Sequence, residues 1–441
     1  MSAARFAYTL VVWAAMPFAA LYLFWRSRKQ PEYRAHWGER FGWARYSNDA
    51  RTEPRIWVHA VSVGETRAAK PLIEALANRN PRHRFLLTHM TPTGRAAGAE
   101  LAALWPGRID QVYLPYDMPF AVRRFLRAYV PIVGLGMETE TWPNLLAEAR
   151  AAGVPMVLVN ARLSERSLAK ARWAPVLIRE TAACFTRVLA QTEADADRMR
   201  RLGASSVEVA GNLKFDYTPN DALVERGRAF RQSAGDRPVL LFASTREGEE
   251  PMLLDALEEQ GVLASGGPIV LIVPRHPQRF DEVARAMSAR GCVVVRRSSV
   301  IEWQMSGNAA SDAVWLGDSM GEMAMYYASS DVAYIGGSLL PLGGQNLIEG
   351  CAVGVPAIVG PHTFNFAQAT DDAVAAGAAV QVDDATGVVQ AMLAIVSDAR
   401  RRERMSQAGM QFAKKHRGAT ARAVAHIAPL IDATRMWPLA R

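Results

Sequence analysis

Two kinds of apolar pattern run along this chain of 441 residues. Near its start, residues 6–25 form an apolar run that contains no charged side chain. Farther on, short continuous apolar segments alternate with stretches in which apolar residues recur every three or four positions. The first pattern is typical of buried parallel strands and the second of amphipathic helices. Their alternation predicts an α/β protein in which helices cover both faces of parallel sheets.

The alternation occurs twice, with a turn-rich, weakly apolar stretch at residues 216–237 between the two halves. We therefore expect two doubly wound Rossmann-like domains facing a cleft, the first at residues 29–220 and the second at residues 221–441. Ligands bind such folds at the carboxyl ends of the strands. The predicted strands cover residues 56–61, 85–89, 132–135, 156–159, 188–191, 239–243, 269–273, 293–295, 332–335 and 357–359, and the predicted helices residues 66–77, 120–128, 194–202, 249–260, 280–290 and 366–376.

The apolar run predicts a membrane anchor at residues 1–28. A helix over residues 6–25 spans about 30 Å at 1.5 Å per residue, the thickness of a bilayer's hydrocarbon core. The cations that follow from Arg26 onward predict, by the positive-inside rule, that the rest of the chain is cytoplasmic. A cleaved signal peptide does not fit, because no small-residue cleavage site follows Trp25. A helix lying in the membrane interface remains an alternative, since Pro17 can kink the segment, although no polar face is visible.

Composition and charge narrow the classes of protein. With 50% hydrophobic residues and three widely spaced cysteines, the chain is not a disordered, collagenous or disulfide-scaffold protein, and a reducing cytosol fits it. The net charge of +8 is uneven: residues 1–220 carry +11 and residues 221–441 carry −3. The basic half favours an anionic partner, which could be a membrane surface, a phosphate group or a nucleic acid.

Three motifs of the first half place charged groups near predicted strand ends. Glu65 follows a strand and a Ser-x-Gly turn, where it is either a first-turn acid stabilised by the helix dipole or a general base in the cleft. Glu138 and Glu140 follow the predicted strand at residues 132–135. They are either acids at a helix start or further acidic groups of the same cleft. Lys214 offers a cation where the first half ends.

In the second half, four motifs follow successive predicted strands. Arg275 stands at the tip of a loop that two prolines restrain, and an arginine suits bidentate contact with phosphate. Short glycine-containing turns precede helices at residues 317–323, 336–338 and 343–349, where backbone N–H groups can hold an anion and a carboxylate can accept from sugar hydroxyls. Each motif is weak alone, but together they indicate a nucleotide-linked ligand.

Other familiar motifs are missing or have simpler explanations. No P-loop sequence occurs, and the glycines at residues 134 and 136 lack the third glycine of a dinucleotide fingerprint. Asp195 and Asp197 match an Asp-x-Asp metal pattern, but Thr192 before them predicts an ordinary helix start. The eight histidines show no zinc-ligand spacing, so we predict no metal site.

Taken together, the motifs resemble those of the Kdo (3-deoxy-D-manno-octulosonic acid) transferases of lipopolysaccharide assembly. The resemblance covers nearly the whole chain, including the anchor. It is carried by residues 33–40, 59–65, 91–94, 137–144, 160–164, 213–216, 273–280, 317–322 and 360–366.

This resemblance implies a glycosyltransferase of the two-domain GT-B type that is inverting, metal-independent and without a cofactor. The donor would be CMP-Kdo, the acceptor the lipid A precursor (lipid IVA), and the location the inner membrane; no nucleic acid partner is expected. Glu65 would be the general base, and Glu138 and Lys214 would stabilise the transition state. The residues implied in CMP binding are Pro274, Arg275, Met320, Gly321, Glu322, Asn346, Leu347, Ile348 and Glu349.

One departure and two competing functions accompany this interpretation. Gln345 stands where the family usually has histidine, which leaves a contact specific to that histidine in doubt. A nucleotide-sugar epimerase of the same fold would need neither an acceptor nor the apolar N-terminal segment. A non-catalytic protein of the membrane surface would bind lipid but no nucleotide.

Overall fold

The computed structural model describes residues 2–28, 30–43, 54–305 and 313–435. The chain forms two compact units, one made of Met1–Asp216 with Gly418–Arg441 and the other of Tyr217–Arg417. Within the described ranges, each unit contains a seven-stranded sheet in which every pairing is parallel. The prediction of two doubly wound α/β domains is confirmed.

In the first unit the sheet has the order β3-β2-β1-β4-β5-β6-β7. All five strands predicted for this half form, and the unpredicted β3 and β7 lie at the two edges. The strands are β1 Arg55–His59, β2 Arg84–His89, β3 Ile109–Tyr113, β4 Pro131–Met137, β5 Met156–Ala161, β6 Arg187–Ala190 and β7 Val207–Val209. The helices are α1 Ala3–Arg26, α2 Trp37–Arg40, α3 Val63–Arg79, α4 Pro92–Ala102, α5 Pro119–Tyr129, α6 Pro143–Ala151, α7 Glu165–Ala171, α8 Pro175–Ala182 and α9 Glu193–Leu202.

Strand β1 shows how this sheet is held. All of its residues are buried, and successive side chains point to opposite faces. Ile56 and Val58 pack with the helices of one face, whereas Trp57 packs on the other, where its ring meets Phe125 edge-on with centroids 5.1 Å apart. Cores on both faces hold the strand in one register, so the residues that follow it have a defined position.

The sheet of the second unit has the order β10-β11-β9-β8-β12-β13-β14. Its central strand, β8, therefore has its sequence neighbour β9 on one side and the later strand β12 on the other. The strands are β8 Val239–Thr245, β9 Ile269–Pro274, β10 Val294–Arg296, β11 Val314–Leu316, β12 Val332–Ile335, β13 Ala357–Val359 and β14 Ala379–Gln381. The helices are α10 Asp221–Ser233, α11 Glu249–Glu259, α12 Phe280–Ala289, α13 Met323–Ala328, α14 Ile348–Val353, α15 Ala367–Ala375, α16 Ala385–Ser397 and α17 Ala399–His416.

The last helix, α18 (Ala419–Arg435), packs on the first unit. The sequence predicts a second domain that runs to residue 441, and the structure differs from that boundary. Ala423, Ile427 and Ile431 lie one helical turn apart and are fully buried in the core of the first unit. Asp216 also accepts the backbone N–H groups of Gly418 and Thr420, at 2.8 and 2.7 Å. An apolar stripe needs a partner, but its sequence position does not say which sheet provides one.

Helix α1 is long and apolar enough to cross a membrane, which is compatible with an anchor. Of its residues, Thr9 and Leu23 are buried, while large apolar side chains such as Phe18 are exposed. Its first half also contacts the first unit. The Tyr8 hydroxyl donates to Asp117 at 2.9 Å and the Thr9 hydroxyl to Asn144 at 3.1 Å.

Candidate active site

Glu65 lies in the first turn of α3, directly beyond β1. Ser62 caps this helix: its hydroxyl accepts the Glu65 N–H at 3.4 Å and donates to the Glu65 carboxylate at 3.3 Å. The other carboxylate oxygen, Oε2, accepts the backbone N–H of Val61 at 2.7 Å. This is a capping-box arrangement, so Glu65 has a structural role at the helix start in addition to any chemical one.

The surroundings of Glu65 favour its protonated form. Burial raises its pKa, and the nearby charges of Glu140 and Glu138 raise the pKa further against the opposing Val61 hydrogen bond and His59. Among the residues that the structure describes, Glu65 has no ion pair with a cation. A half-buried carboxylate with a raised pKa and no cationic partner is suited to accept a proton.

Glu138 lies at the end of β4 in the opposite situation. It is only 4% exposed and forms ion pairs with Lys214 at 2.8 Å and with Arg162 at 3.1 Å. Its backbone has φ +56°, a conformation rare for a residue with a side chain, and strain of this kind is common at functional sites. The structure thus brings together Glu138 and Lys214, two of the three predicted catalytic residues.

Lys214 is held in a 3₁₀ turn, Leu213–Phe215, that the strand ends support. Asn212 accepts the Lys214 N–H at 3.0 Å, and the side chain of Asn160 accepts the Leu213 N–H at 2.9 Å. Asn160 belongs to β5 and also has φ +56°. The ammonium group therefore reaches Glu138 from a backbone that is fixed at both ends.

Glu140, the second acid of this loop, contacts the buried His59 at the end of β1. Its Oε2 lies 3.3 Å from His59 Nε2 and accepts the Trp142 indole N–H at 2.6 Å. Thr88 Oγ1 accepts the indole N–H of Trp57 at 2.8 Å and lies 2.9 Å from His59 Nδ1. His59 Nδ1 also lies 3.2 Å from the Thr88 carbonyl oxygen, so β2 contacts one ring nitrogen and Glu140 lies near the other.

These contacts give the acids of the first unit different chemical states. Glu138 is neutralised by two cations, Glu140 is hydrogen-bonded to an indole, and Glu65 has the raised pKa. Environments that differentiate neighbouring carboxylates assign acid–base roles within a site. The sequence motifs contain Arg162 and His59 but gave no reason to assign either a role, because their partners lie far away along the chain.

In the second unit, Pro274 ends β9 and Arg275 begins the loop beyond it. The Arg275 N–H donates to Thr245 at 2.9 Å, and its Nε donates to Gln345 Oε1 at 3.3 Å. Gln345, which replaces the usual histidine of the family, thus links Arg275 to the glycine-rich loop after β12.

The segment from Asn346 to Glu349 leads into α14. The Asn346 side chain accepts the Ile348 N–H at 3.1 Å and donates to Glu349 at 3.4 Å. Leu347 and Ile348 are fully buried. Burial raises the pKa of Glu349 to about 6, against the hydrogen bond from Asn346 and the positive charge of Arg275.

The third predicted group, Met320 to Glu322, forms the turn before α13. Met320 is 57% exposed, and Gly321 has φ +79°, which favours glycine. Burial tends to raise the pKa of Glu322, but hydrogen bonds from Ser319 and Arg297 outweigh it and hold the pKa below its usual range. The Glu322 carboxylate already carries these partners and Arg226, so it differs from Glu349.

Sequence reasoning gave no role to Arg246, which directly follows β8. A side-chain carbon built on Gly337 would lie 3.3 Å from Arg246 Cγ and 3.4 Å from Gln345 Nε2, which places both side chains beside this glycine. The position was predictable, since ligands of doubly wound folds bind where the central strand meets the strand that starts the second half of the sheet.

In the ranges that the structure describes, no group of three or more His, Cys, Asp or Glu side chains is placed to hold a metal ion. Asp195 lies in the first turn of α9, as predicted. Its carboxylate is bound by Thr192 at 2.6 Å, Arg198 at 2.8 Å and the Leu163 N–H at 2.9 Å.

Comparison with known proteins identifies the family. Residues 35–217 match the family described as 3-Deoxy-D-manno-octulosonic-acid transferase (kdotransferase). The chain is 46% identical to the 3-deoxy-D-manno-octulosonic acid transferase of Bordetella pertussis, with 98% of this chain and 99% of that protein covered. It is 33% identical to the transferase of the same name from Haemophilus influenzae, covering 97% and 99%.

A solved structure shows the fold without deciding the function. The UDP-GlcNAc 2-epimerase of Neisseria meningitidis, bound to UDP-GlcNAc, is 16% identical with a TM-score of 0.51 and covers 85% of this chain and 100% of that one. The two-domain fold is therefore shared with enzymes of another kind, and sequence identity has to separate them. The identity to the Bordetella pertussis transferase is 46% over nearly the full length of both proteins. The chain therefore belongs to the Kdo transferase family and is a glycosyltransferase.

Proposed function

We propose that the enzyme transfers Kdo from CMP-Kdo to the lipid A precursor lipid IVA, with inversion at the anomeric carbon and CMP as the leaving product. The observation that carries this proposal is the contrast in the first unit between Glu65, with its raised pKa and no cation, and Glu138, paired with Lys214 and Arg162. A glycosyl transfer needs both a base for the acceptor hydroxyl and fixed charge around the reacting centre.

In the proposed reaction, Glu65 takes the proton from an acceptor hydroxyl as its oxygen attacks the anomeric carbon of Kdo. The new carbon–oxygen bond forms on one face while the bond to the phosphate oxygen breaks on the other, and CMP leaves with that electron pair. A single displacement of this kind inverts the anomeric centre. Lys214, held by Glu138, provides positive charge for the transition state. The proton on Glu65 then passes to water.

The second unit would hold the donor. Arg275 offers a guanidinium for the phosphate. Glu349, when ionised, would accept hydrogen bonds from ribose hydroxyls. Met320, Gly321 and Glu322 would line the nucleotide from another loop, with Glu322 acting through its backbone and its fixed charge.

The acceptor proposal rests on charge and on α1. Lipid IVA is a phosphorylated glycolipid. Its negative charge would attract the basic first half of the chain to the membrane surface. The exposed apolar side chains of α1 would hold the enzyme at the inner membrane, with both units on the cytoplasmic side. Enzyme and acceptor would then meet in two dimensions.

The test is acceptor-dependent turnover by the purified full-length enzyme in detergent or vesicles. We expect CMP release from CMP-Kdo only when lipid IVA is present, a lipid product heavier by one or more Kdo residues, and an inverted anomeric configuration by NMR. Conversion of the donor without acceptor would instead indicate an epimerase or hydrolase. Lipid binding without any CMP binding would indicate a non-catalytic membrane protein.

A further inference from the structure

Three loops of the second unit are fastened together at the centre of its sheet. The buried carboxylate of Glu249 accepts backbone N–H groups from Arg246 at 2.8 Å, from Gly337 at 2.7 Å and from Leu339 at 3.1 Å. The loop after β8 is thereby joined to the loop after β12. The Arg275 N–H, donating to Thr245, joins the loop after β9 to them. The positions of Arg246 and Arg275 are therefore set by the fold.

Among the described residues of these three loops, none forms a hydrogen bond or ion pair with the Arg246 side chain. Its Nε is buried without a hydrogen bond, and the described residues form no ion pair with its guanidinium. A buried N–H group without an acceptor is unfavourable, and most such groups in proteins have one. Since its backbone and Cγ are held beside Gly337, the guanidinium is presented at the strand ends, where this fold binds ligands.

Arg246 and Arg275 both lie near Gln345. Arg275 donates to the amide oxygen Oε1, and Arg246 lies beside Gly337, the glycine that the Gln345 amide nitrogen also approaches. Arg275 is also the cation that acts on Glu349, the carboxylate suited to ribose. Arg275 is thus tied to the carboxylate that would hold the ribose, which leaves Arg246 as the second cation of these loops for the donor.

We propose that Arg246 binds the carboxylate of the sugar acid carried by the donor, a role that rests on the proposed CMP-Kdo reaction. Kdo carries its carboxylate on the same carbon that bears the phosphate, so the donor presents two adjacent anionic groups. Two guanidiniums near one amide match this pair. The fork of an arginine matches a carboxylate through two parallel hydrogen bonds, which a lysine cannot reproduce.

The experiment compares the full-length enzyme with the variants Arg246→Gln, Arg246→Lys and Arg275→Gln. CMP affinity is measured by calorimetry and kcat/KM with CMP-Kdo by acceptor-dependent turnover. Because a hydrogen-bonded charge pair contributes strongly to binding, we expect Arg246→Gln to lower kcat/KM roughly 10- to 100-fold while CMP affinity stays within about twofold. Arg246→Lys should recover part of the loss. Arg275→Gln should weaken CMP and CMP-Kdo alike, and Arg228→Gln, at an exposed site on α10, should change neither.

The decisive comparison uses the methyl ester of CMP-Kdo, in which the Kdo carboxylate has lost its negative charge. The wild-type enzyme should lose activity on the ester relative to CMP-Kdo, whereas Arg246→Gln should show almost no further loss, because the missing contact is the same. Equal weakening of CMP and CMP-Kdo by Arg246→Gln would assign the residue to the phosphate and overturn the proposal, as would unchanged kinetics. If wild-type enzyme fails to turn over CMP-Kdo at all, the proposed function fails instead. Unaltered CMP affinity also shows that the two Arg246 variants are folded.

Discussion

Replacing Glu65 with glutamine removes a proton acceptor while keeping the shape that caps α3. The amide oxygen of glutamine can still accept the Val61 N–H that the carboxylate binds at 2.7 Å. Alanine removes this hydrogen bond and the one from Ser62 as well. The two variants therefore separate the chemical role of Glu65 from its structural role at the helix start.

The expected magnitudes differ for the two roles. General-base catalysis contributes about 10²- to 10⁴-fold, which corresponds to roughly 3–5 kcal/mol of transition-state stabilisation. Glu65→Gln should lose that factor in kcat and change the free energy of unfolding by less than about 1 kcal/mol. Glu65→Ala should lose the same activity and in addition about 1–2 kcal/mol of stability, because the two capping hydrogen bonds are gone.

The assay combines initial rates of acceptor-dependent CMP release with unfolding followed by circular dichroism. Since burial raises the pKa of Glu65, the kcat/KM of the wild-type enzyme should fall as the pH drops through a value above the usual carboxylate range. The residual activity of Glu65→Gln should not show this fall at low pH. The reasoning is refuted if Glu65→Gln keeps activity within about threefold of wild type, since that outcome would leave Glu65 as a first-turn acid only.

Three further predictions follow from the described contacts. Lys214→Met should lower kcat about 100-fold and destabilise the enzyme by about 1–3 kcal/mol, because Glu138 would retain only Arg162. Adding Glu138→Gln to this variant should restore the thermal stability but not the rate. CMP affinity, measured by calorimetry, should fall as the pH drops below about 6, where Glu349 becomes protonated. Glu349→Gln should reduce this dependence to the part caused by protonation of the CMP phosphate, whose second pKa is also about 6. Ile427→Ala, at a fully buried site of α18, should cost about 2–4 kcal/mol in chemical unfolding, whereas the exposed Leu104→Ala should have almost no effect.

In the first sheet the sequence was sufficient for the central strands but not for the edges. In the second sheet it predicted edge strand β10 and missed the interior strand β11 and the edge strand β14. The central strands are continuous apolar runs because they are covered on both faces. Edge strand β3 contains Asp110 and Gln111, and edge strand β7 is three residues long with Glu208 in its middle. Such strands lack the apolar run by which the others were predicted.

The same limit applies to the candidate site. Motif order was enough to select Glu65, Glu138 and Lys214, but the contact of Glu138 with Lys214 depends on how β4 and β5 end. Arg246 was missed, although Gly248 marks a turn after β8, because the acids at positions 247, 249 and 250 suggest local ion pairs for it. Its position became informative only once Gly337 and Gln345 were placed beside it.

The sequence alone cannot assign roles to the carboxylates. Their hydrogen-bond and ion-pair partners distinguish those roles. Glu249 is satisfied by three backbone N–H groups and therefore positions loops. Glu138 and Glu322 form ion pairs with cations and therefore hold those cations in place. Among the carboxylates predicted for the site, a raised pKa distinguishes Glu65 in the first unit and Glu349 in the second. The pKa of Asp117 is raised as well, but its carboxylate is occupied by the Tyr8 hydroxyl and two backbone N–H groups. The proton transfer of the proposed reaction belongs to Glu65, because only the first unit also places Lys214 beside its acids.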